Sequence, residues 1–398
     1  YNPRKKLKPG DKEFEKIKNS ITEFGYVEPI IVNSDMTIIG GHQRATVLQT
    51  LGYDEIDCIV IEIDKTKEKA LNIALNKITG EWNQELLADL IEDLQKSDFD
   101  VGFTGFEPPE IEQLFNKVHD KKIKEDDFDV DPAMTKQGDV WMLGMHRLVC
   151  GDSTLPETYE KLMEGKKANL VVTDPPYNVN YEGNAGKIQN DNLEDDKFYN
   201  FLFAAFVNME QNMERDASIY VFHADTEGLN FRRAFKAAGF YLSGTCIWKK
   251  QSLVLGRSPY QWQHEPILFG WKLGGKHMWY SDRKQSTIWE YDRPKKNDMH
   301  PTMKPVELVA YPIRNSSMSN CIVLDPFGGS GSTMIACEQT GRICRTIELD
   351  EKYADVIVHR YMEFVGSAED VYVIRDGKKI KYSELMKEGD THDAVDLP

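Results

Sequence analysis

The sequence predicts an α/β protein, with a mostly parallel, doubly wound sheet preceded by a smaller α/β unit. Three observations predict it. Between Gly138 and Gly366, apolar strand-like runs alternate with helix-periodic segments, the pattern of a parallel sheet covered by helices on both faces. Residues 1–115 carry their own tighter alternation, and residues 116–137 are charged, lack periodicity and contain Pro132, which reads as a linker. A length of 398 residues with 40% hydrophobic composition is enough for two to three domains of about 150 residues and for a large buried core.

In the first unit Phe14, Ile17, Ile21 and Phe24 recur at helical spacing. The runs PIIV and TII then flank the turn Asn33-Ser34-Asp35 as a hairpin would. In GGHQRATVLQTLGY two glycines open a helix whose Ala45, Leu48 and Leu51 face inward and which Gly52 stops. IDCIVIEI reads as a buried strand, followed by helices around Ala70–Ile78, Leu86–Leu94 and Glu110–Phe115. The second unit, 138–366, alternates NLVVT, a helix over Phe198–Met213, SIYVF, a helix near Phe231–Ala238, YLSGTCIW, CIVLD, a helix after Gly331, ICRTIEL and a last helix. Residues 367–398 form an acidic tail with two strand-like pieces, VYVIRDG and KKIKYS.

Composition narrows the function class. No apolar run approaches the roughly 18 residues that cross a bilayer. The six cysteines, Cys58, Cys150, Cys246, Cys321, Cys337 and Cys344, form no CxxC pair and stand mostly in apolar stretches, which predicts reduced thiols, a reducing cytoplasm and no metal site. The net charge of −16 opposes a nucleic-acid partner at first sight, because phosphates need Lys and Arg. The distribution matters more than the sum and leaves room for a local basic face: Cys246–Ala310 holds eleven Lys or Arg against six Asp or Glu, whereas the tail from Ser367 holds five against eight.

Two motifs carry chemistry. Asp174-Pro175-Pro176-Tyr177 follows the strand NLVVT directly, and ligands gather at the carboxyl ends of strands in open α/β sheets. The prolines stiffen the turn and leave carbonyls free of any ladder. The result is a rigid edge bearing a carboxylate, a carbonyl and an aromatic face, suited to the exocyclic amine and the ring of a flipped base. In Leu324–Thr333, LDPFGGSGST, glycines 328, 329 and 331 permit close backbone approach at a helix start. The segment is neither a P-loop nor a full GxGxxG. Glu348, 23 positions after Asp325, ends the next strand, where a ribose-binding carboxylate is expected.

The order of DPPY, then HPTMKP at His300–Pro305, then DPFGGSGS, together with the entry segment GDVWMLGMHRLVCGDS, resembles the beta group of the DNA amino-methyltransferases. The resemblance covers about Gly138–Gly366. It implies a Rossmann-like methyltransferase sheet, S-adenosylmethionine as cofactor and double-stranded DNA as substrate. It also implies that Asp174, Pro175, Pro176 and Tyr177 form the catalytic edge. Asp325, Phe327, Gly328, Gly329 and Gly331 would then form the cofactor turn, Glu348 the ribose ligand and Asp152 an adenine contact, while His300, Thr302 and Lys304 close over the methionine end. Asp before the prolines is usual among the adenine-N6 enzymes, so adenine is favoured over cytosine N4. The segment around IIGGHQRATVLQTLGY, with Gly41, His42, Gln43 and Arg44 at a helix start, resembles ParB nuclease-like domains, in which this turn holds phosphates.

DNA contacts are expected from Arg44 and from the basic, aromatic region Lys249, Lys250, Arg257, Tyr260, Trp262, Arg283, Lys284, Arg293, Lys295 and Lys296. The resemblance leaves room for a homodimer, for a partner restriction nuclease or a phage partner, and for a bacterial or phage-infected cell as setting. A reading of a different class is a non-catalytic ParB-like DNA-binding or nucleotide-sensing protein with a relic second domain.

Overall fold

The structure is a computed structural model that describes residues 3–4, 6–77, 82–97, 99–118, 134–178, 182–183, 186–187, 192–255, 259–292 and 303–385. The chain divides into two compact units, Tyr1–Asp120 and Lys121–Pro398.

The first unit runs α1 (Lys12–Phe24), β1 (Ile30–Asn33), β2 (Ile38–Gly40), α2 (His42–Thr50), β3 (Cys58–Ile61), α3 (Lys65–Asn76), α4 (Gln84–Lys96) and α5 (Pro108–Val118). The expected hairpin forms: β1 and β2 are antiparallel, with Ile31 opposite Gly40. β3 joins β1 in parallel, giving the order β2-β1-β3. Phe14, Ile21, Ile30, Val32, Val47 and Leu48 pack into one core, and Ile73, Leu87, Ile91, Leu94 and Phe115 into a second, helical one. The run IDCIVIEI is not a buried strand, since Ile59 and Val60 are 47% and 57% exposed. β3 is an edge strand of a three-stranded sheet, and an apolar run alone does not distinguish an edge from a centre.

The second unit contains β4 (Val140–Leu143), β5 (His146–Cys150), α6 (Pro156–Met163), β6 (Ala168–Thr173), β7 (Glu182–Gly183), β8 (Gly186–Lys187), α7 (Asp195–Gln211), β9 (Met213–Phe222), α8 (Gly228–Ala237), β10 (Phe240–Val254) and β11 (Trp262–Lys272). It continues with β12 (Ile288–Glu290), α9 (Val306–Ser316), β13 (Ile322–Asp325), α10 (Ser332–Thr340), β14 (Ile343–Glu348), α11 (Glu351–Val365), β15 (Val371–Arg375) and β16 (Lys378–Lys381). Eleven strands make one sheet in the order β12-β10-β11-β9-β6-β13-β14-β5-β4-β15-β16. The central strands β9, β6, β13, β14 and β5 are parallel. The flanks are mixed: β11 runs antiparallel to β9, β10 to β11, and β4 to β5.

Each face of the sheet carries its own apolar layer. One contains Leu148, Leu170, Val323, Ile335 and Ile357; the other contains Val149, Val171, Ile219, Phe206 and Ile347. Alternating strand residues therefore feed opposite layers, as in any sheet covered on both faces.

The boundary placed at residue 366 lies inside this sheet, because β15 pairs with β4 and β16 with β15. Most of the charged stretch 116–137 falls outside the described residues, which resume at Met134. The last residues of that stretch are anchored and do not behave as linker. The buried Asp355 carboxylate on α11 accepts from the Met134 and Thr135 amides at 2.5 and 3.0 Å and from the Thr135 hydroxyl. Among the described residues, no helix is long and apolar enough to cross a membrane and no His, Cys, Asp and Glu group is arranged to hold a metal ion. All six cysteines are free thiols.

Asp355→Ala should strip two buried amides and a hydroxyl of their acceptor. At about 1–3 kcal/mol for a buried polar group left unsatisfied, the urea midpoint should fall clearly, and Asp355→Asn should recover part of the loss. Equal midpoints for wild type and the Ala variant would refute this anchoring.

Candidate active site

The carboxyl ends of β6, β13, β14 and β5 lie side by side, so the motifs that are far apart in sequence meet along one edge of the sheet. Two turns are joined directly: the Thr173 hydroxyl, last in β6, donates to Asp325 Oδ1 at 2.8 Å. The same carboxylate accepts from the Phe327 amide at 3.2 Å and from the Thr333 hydroxyl at 2.6 Å. Burial pushes Asp325 up to about 7 against these hydrogen bonds.

The glycines of the second motif have separate uses. A Cβ on Gly328 would stand 2.6 Å from Thr346 Oγ1 and 2.8 Å from Ile357 Cδ1, so the turn packs directly against β14 and α11. Gly331 opens α10 with a φ of 85°, a left-handed conformation that favours glycine. Gly329 has open space where its side chain would be, and its amide donates to Glu348 Oε2 at 2.7 Å. The other Glu348 oxygen accepts from the Asp350 amide at 2.9 Å, yet burial still pushes this carboxyl up to about 7. The Gly151 amide bonds the Glu348 carbonyl at 2.9 Å, which brings Asp152 beside Glu348. Asp152 Oδ1 accepts from the Thr154 amide and hydroxyl at 2.7 and 2.8 Å.

The catalytic edge leaves the end of β6 with Pro175 buried and Asp174, Pro176 and Tyr177 half-buried. Tyr177 OH lies 2.6 Å from Asp174 Oδ1 and 3.1 Å from Glu265 Oε2. Lys304, expected to close over the methionine end of the cofactor, lies against Asp174 and Glu265. Its ammonium stands 2.5 Å from Asp174 Oδ2 and 3.3 Å from Glu265 Oε2, while its carbonyl accepts from Ser332 Oγ at 2.7 Å. The Lys304 backbone thus meets the glycine turn, while its charge is shared by two half-buried carboxylates at the DPPY turn. Lys250 closes the group, 2.5 Å from Glu265 Oε1.

Burial raises the Asp174 carboxyl and Glu265 raises it further, while Lys304 pulls it down. Burial would also raise Glu265, but Lys304 and Lys250 together hold it at about 2. Glu265 is invisible to motif reasoning because a lone acid inside QWQHEPILFG carries no motif signal. Its hint is a charge directly before the apolar run PILFG.

Lys250 is not a surface contact for DNA: it is 4% exposed. Successive residues of a strand face opposite sides, so of the pair on β10 only Lys249 points outward, where it meets Glu290 at 2.6 Å. Arg283 and Lys284 are exposed, as are Tyr260 at 90% and Trp262 at 40%. Arg257, Arg293, Lys295, Lys296, His300 and Thr302 lie outside the described residues. In the first unit, Arg44 is half-buried beside Gly41 and pairs with Glu28.

Residues 168–359 match the DNA methylase family, residues 1–77 the ParB N-terminal domain and residues 85–137 the ParB-methyltransferase HTH domain. A protein named as the methylase YubD of Escherichia coli (strain K12) is 30% identical over 205 residues, which are 48% of this chain and 79% of that one. The chain belongs to the N6/N4 DNA methylase family. This DNA methylase is also 25% identical to the DNA adenine methyltransferase YhdJ of E. coli (strain K12), over 57% of its own length and 86% of the relative's. The crystal structure of the M1.HpyAVI-SAM complex superposes with a TM-score of 0.42 at 21% identity, covering 54% of this chain and 98% of that one.

Because Glu348 titrates near 7 when folded and near 4.5 when unfolded, its contribution is fully present below the unfolded value and is lost as pH rises through the folded one. Glu348→Gln should therefore gain melting temperature relative to wild type as pH rises from about 4.5 through 7. A difference that stays constant over that window would refute the assignment.

Proposed function

We propose that this DNA methylase transfers a methyl group from S-adenosylmethionine to the N6 amine of an adenine flipped out of double-stranded DNA. The observation that carries the reading is Asp174 at the end of β6, backed by the Pro175 carbonyl and the Tyr177 ring, beside a second turn at the end of β13. The relative named as an adenine methyltransferase supports adenine.

The residues fit such a cofactor. Glu348 and Asp152 place two acceptor carboxylates at adjacent strand ends, matched to ribose hydroxyls and an adenine amine, and Gly329 leaves open space beside them. When bound, S-adenosylmethionine supplies an electrophilic methyl on a sulfonium. The remaining work falls to the chain. A base must leave the stack to be reached, and the Tyr177 ring offers it a platform. Its amine is a weak nucleophile because the nitrogen lone pair is delocalised into the ring, so geometry matters more than basicity. Asp174 and the Pro175 carbonyl accept the two amine hydrogens and thereby aim the lone pair. Asp174 then takes the proton that the methylated nitrogen loses. The N-terminal ParB-like unit and the Lys249, Arg283 and Lys284 surface contribute phosphate contacts.

Asp174→Ala should lower turnover on the order of a hundredfold or more while leaving S-adenosylmethionine affinity unchanged by calorimetry. Turnover close to wild type would overturn the assignment. Nucleoside mass spectrometry of methylated DNA should show N6-methyladenine; N4-methylcytosine would replace the adenine reading. Removing residues 1–118 should make log K for DNA less steep against log salt, because each lost phosphate contact removes about one unit of slope. An unchanged slope would leave the first unit without phosphate contacts.

A further inference from the structure

We propose that Glu265 is a positioning residue: it receives the Lys304 ammonium when the target amine takes its place on Asp174. The inference rests on the reading of Asp174 as acceptor of the amine hydrogens.

Both oxygens of Asp174 are already occupied by the chain's own donors, Oδ1 by Tyr177 at 2.6 Å and Oδ2 by Lys304 at 2.5 Å. A carboxylate that already neutralises an ammonium at this distance has little acceptor strength left for a neutral amine. Each oxygen keeps a further lone pair, so an amine hydrogen can approach, but it meets the full acceptor strength of Asp174 only when the ammonium moves off. Only a short shift is required. Glu265 Oε2 lies 3.3 Å from Lys304 Nζ and 3.1 Å from Tyr177 OH, so each donor on Asp174 already has Glu265 within reach. Lys250, behind it on β10, binds the other oxygen at 2.5 Å, which fixes the side chain and keeps it ionised.

The charge count supports the exchange. Asp174 and Glu265 carry two negative charges, Lys304 and Lys250 two positive, and the sum does not change when Lys304 passes from one carboxylate to the other. No charge has to leave or enter a buried site, and moving an uncompensated charge there would be costly. Proximity of the second carboxylate is what makes the transfer cheap.

Among the described residues, the groups that face Asp174 are Lys304, Glu265 and Tyr177. Asp325 stands behind Thr173, and Lys250 lies beyond Glu265. Among them Glu265 raises the Asp174 carboxyl. Removing its charge therefore moves the acid limb of the kcat/KM profile for DNA to lower pH.

The test uses the full chain with Glu265→Gln and Glu265→Asp, measuring kcat/KM for DNA against pH, S-adenosylmethionine affinity by calorimetry, and melting temperature. Glu265→Gln should lose about tenfold or more in kcat/KM, with cofactor affinity retained and the acid limb at lower pH. Glu265→Asp, which keeps the charge, should return the limb to its wild-type position. If the Gln variant does not fold, the Asp variant decides alone: a raised KM for DNA with the limb unmoved supports the role, and wild-type constants overturn it. A Gln variant with wild-type kcat/KM, or a loss without movement of the limb, also overturns it. The two readings separate through Asp174→Ala: an inactive Asp174→Ala beside an unaffected Glu265→Gln rejects only the positioning role, whereas an active Asp174→Ala rejects the site itself.

Discussion

The Asp325 carboxylate is the joint on which the site depends. It accepts from Thr173 on β6, from Phe327 in the glycine turn and from Thr333 on α10, and so fixes three segments to one point. Parallel strands align in a sheet without specifying how the loops beyond them are oriented. A buried acceptor shared by three donors supplies that missing orientation, and leaving it unpaired in that setting would be costly. The catalytic turn and the glycine turn consequently hold a common frame although 151 residues separate Asp174 from Asp325.

A second layer of order comes from charge. Taking four ionised side chains into a half-buried pocket is unfavourable unless they compensate one another. Here they alternate: Lys250, Glu265, Lys304 and Asp174 form a chain of opposite neighbours. Such a chain stabilises little by itself. It restricts which arrangements of the four side chains are available. Burial pushes both Asp174 and Glu265 upward and the cations pull both downward.

Much of this was legible in the sequence because the signals were local. DPPY and DPFGGSGST announce themselves by composition, and the alternation of NLVVT, CIVLD and ICRTIEL with helical segments predicts the parallel centre of the sheet. Signals that depend on pairing were not legible. One mixed flank arises from the long strands β10 and β11, antiparallel to each other, with β11 antiparallel to β9, a register that no periodicity announces. The edge position of β3 was hidden for the same reason, since burial of Ile59 and Val60 depends on how many strands lie beside them. Lys250 was misplaced because a lysine in sequence looks solvated, and the carboxylates that Lys250 and Lys304 meet are visible only in the fold. Glu265 itself had no motif to betray it.

The β15–β16 hairpin changes how the sheet ends. Without it, β4 would present an open row of amides and carbonyls at the margin of an eleven-stranded sheet, a template for pairing with another chain. The hairpin covers that row and moves the margin to β16, whose sequence KKIK sets lysines at 378, 379 and 381. Lysines on an edge strand are a common guard against edge-to-edge pairing. The short terminal strands therefore act as a selvedge, protecting the weave from fraying into its neighbours while standing far along the sheet from the catalytic strands.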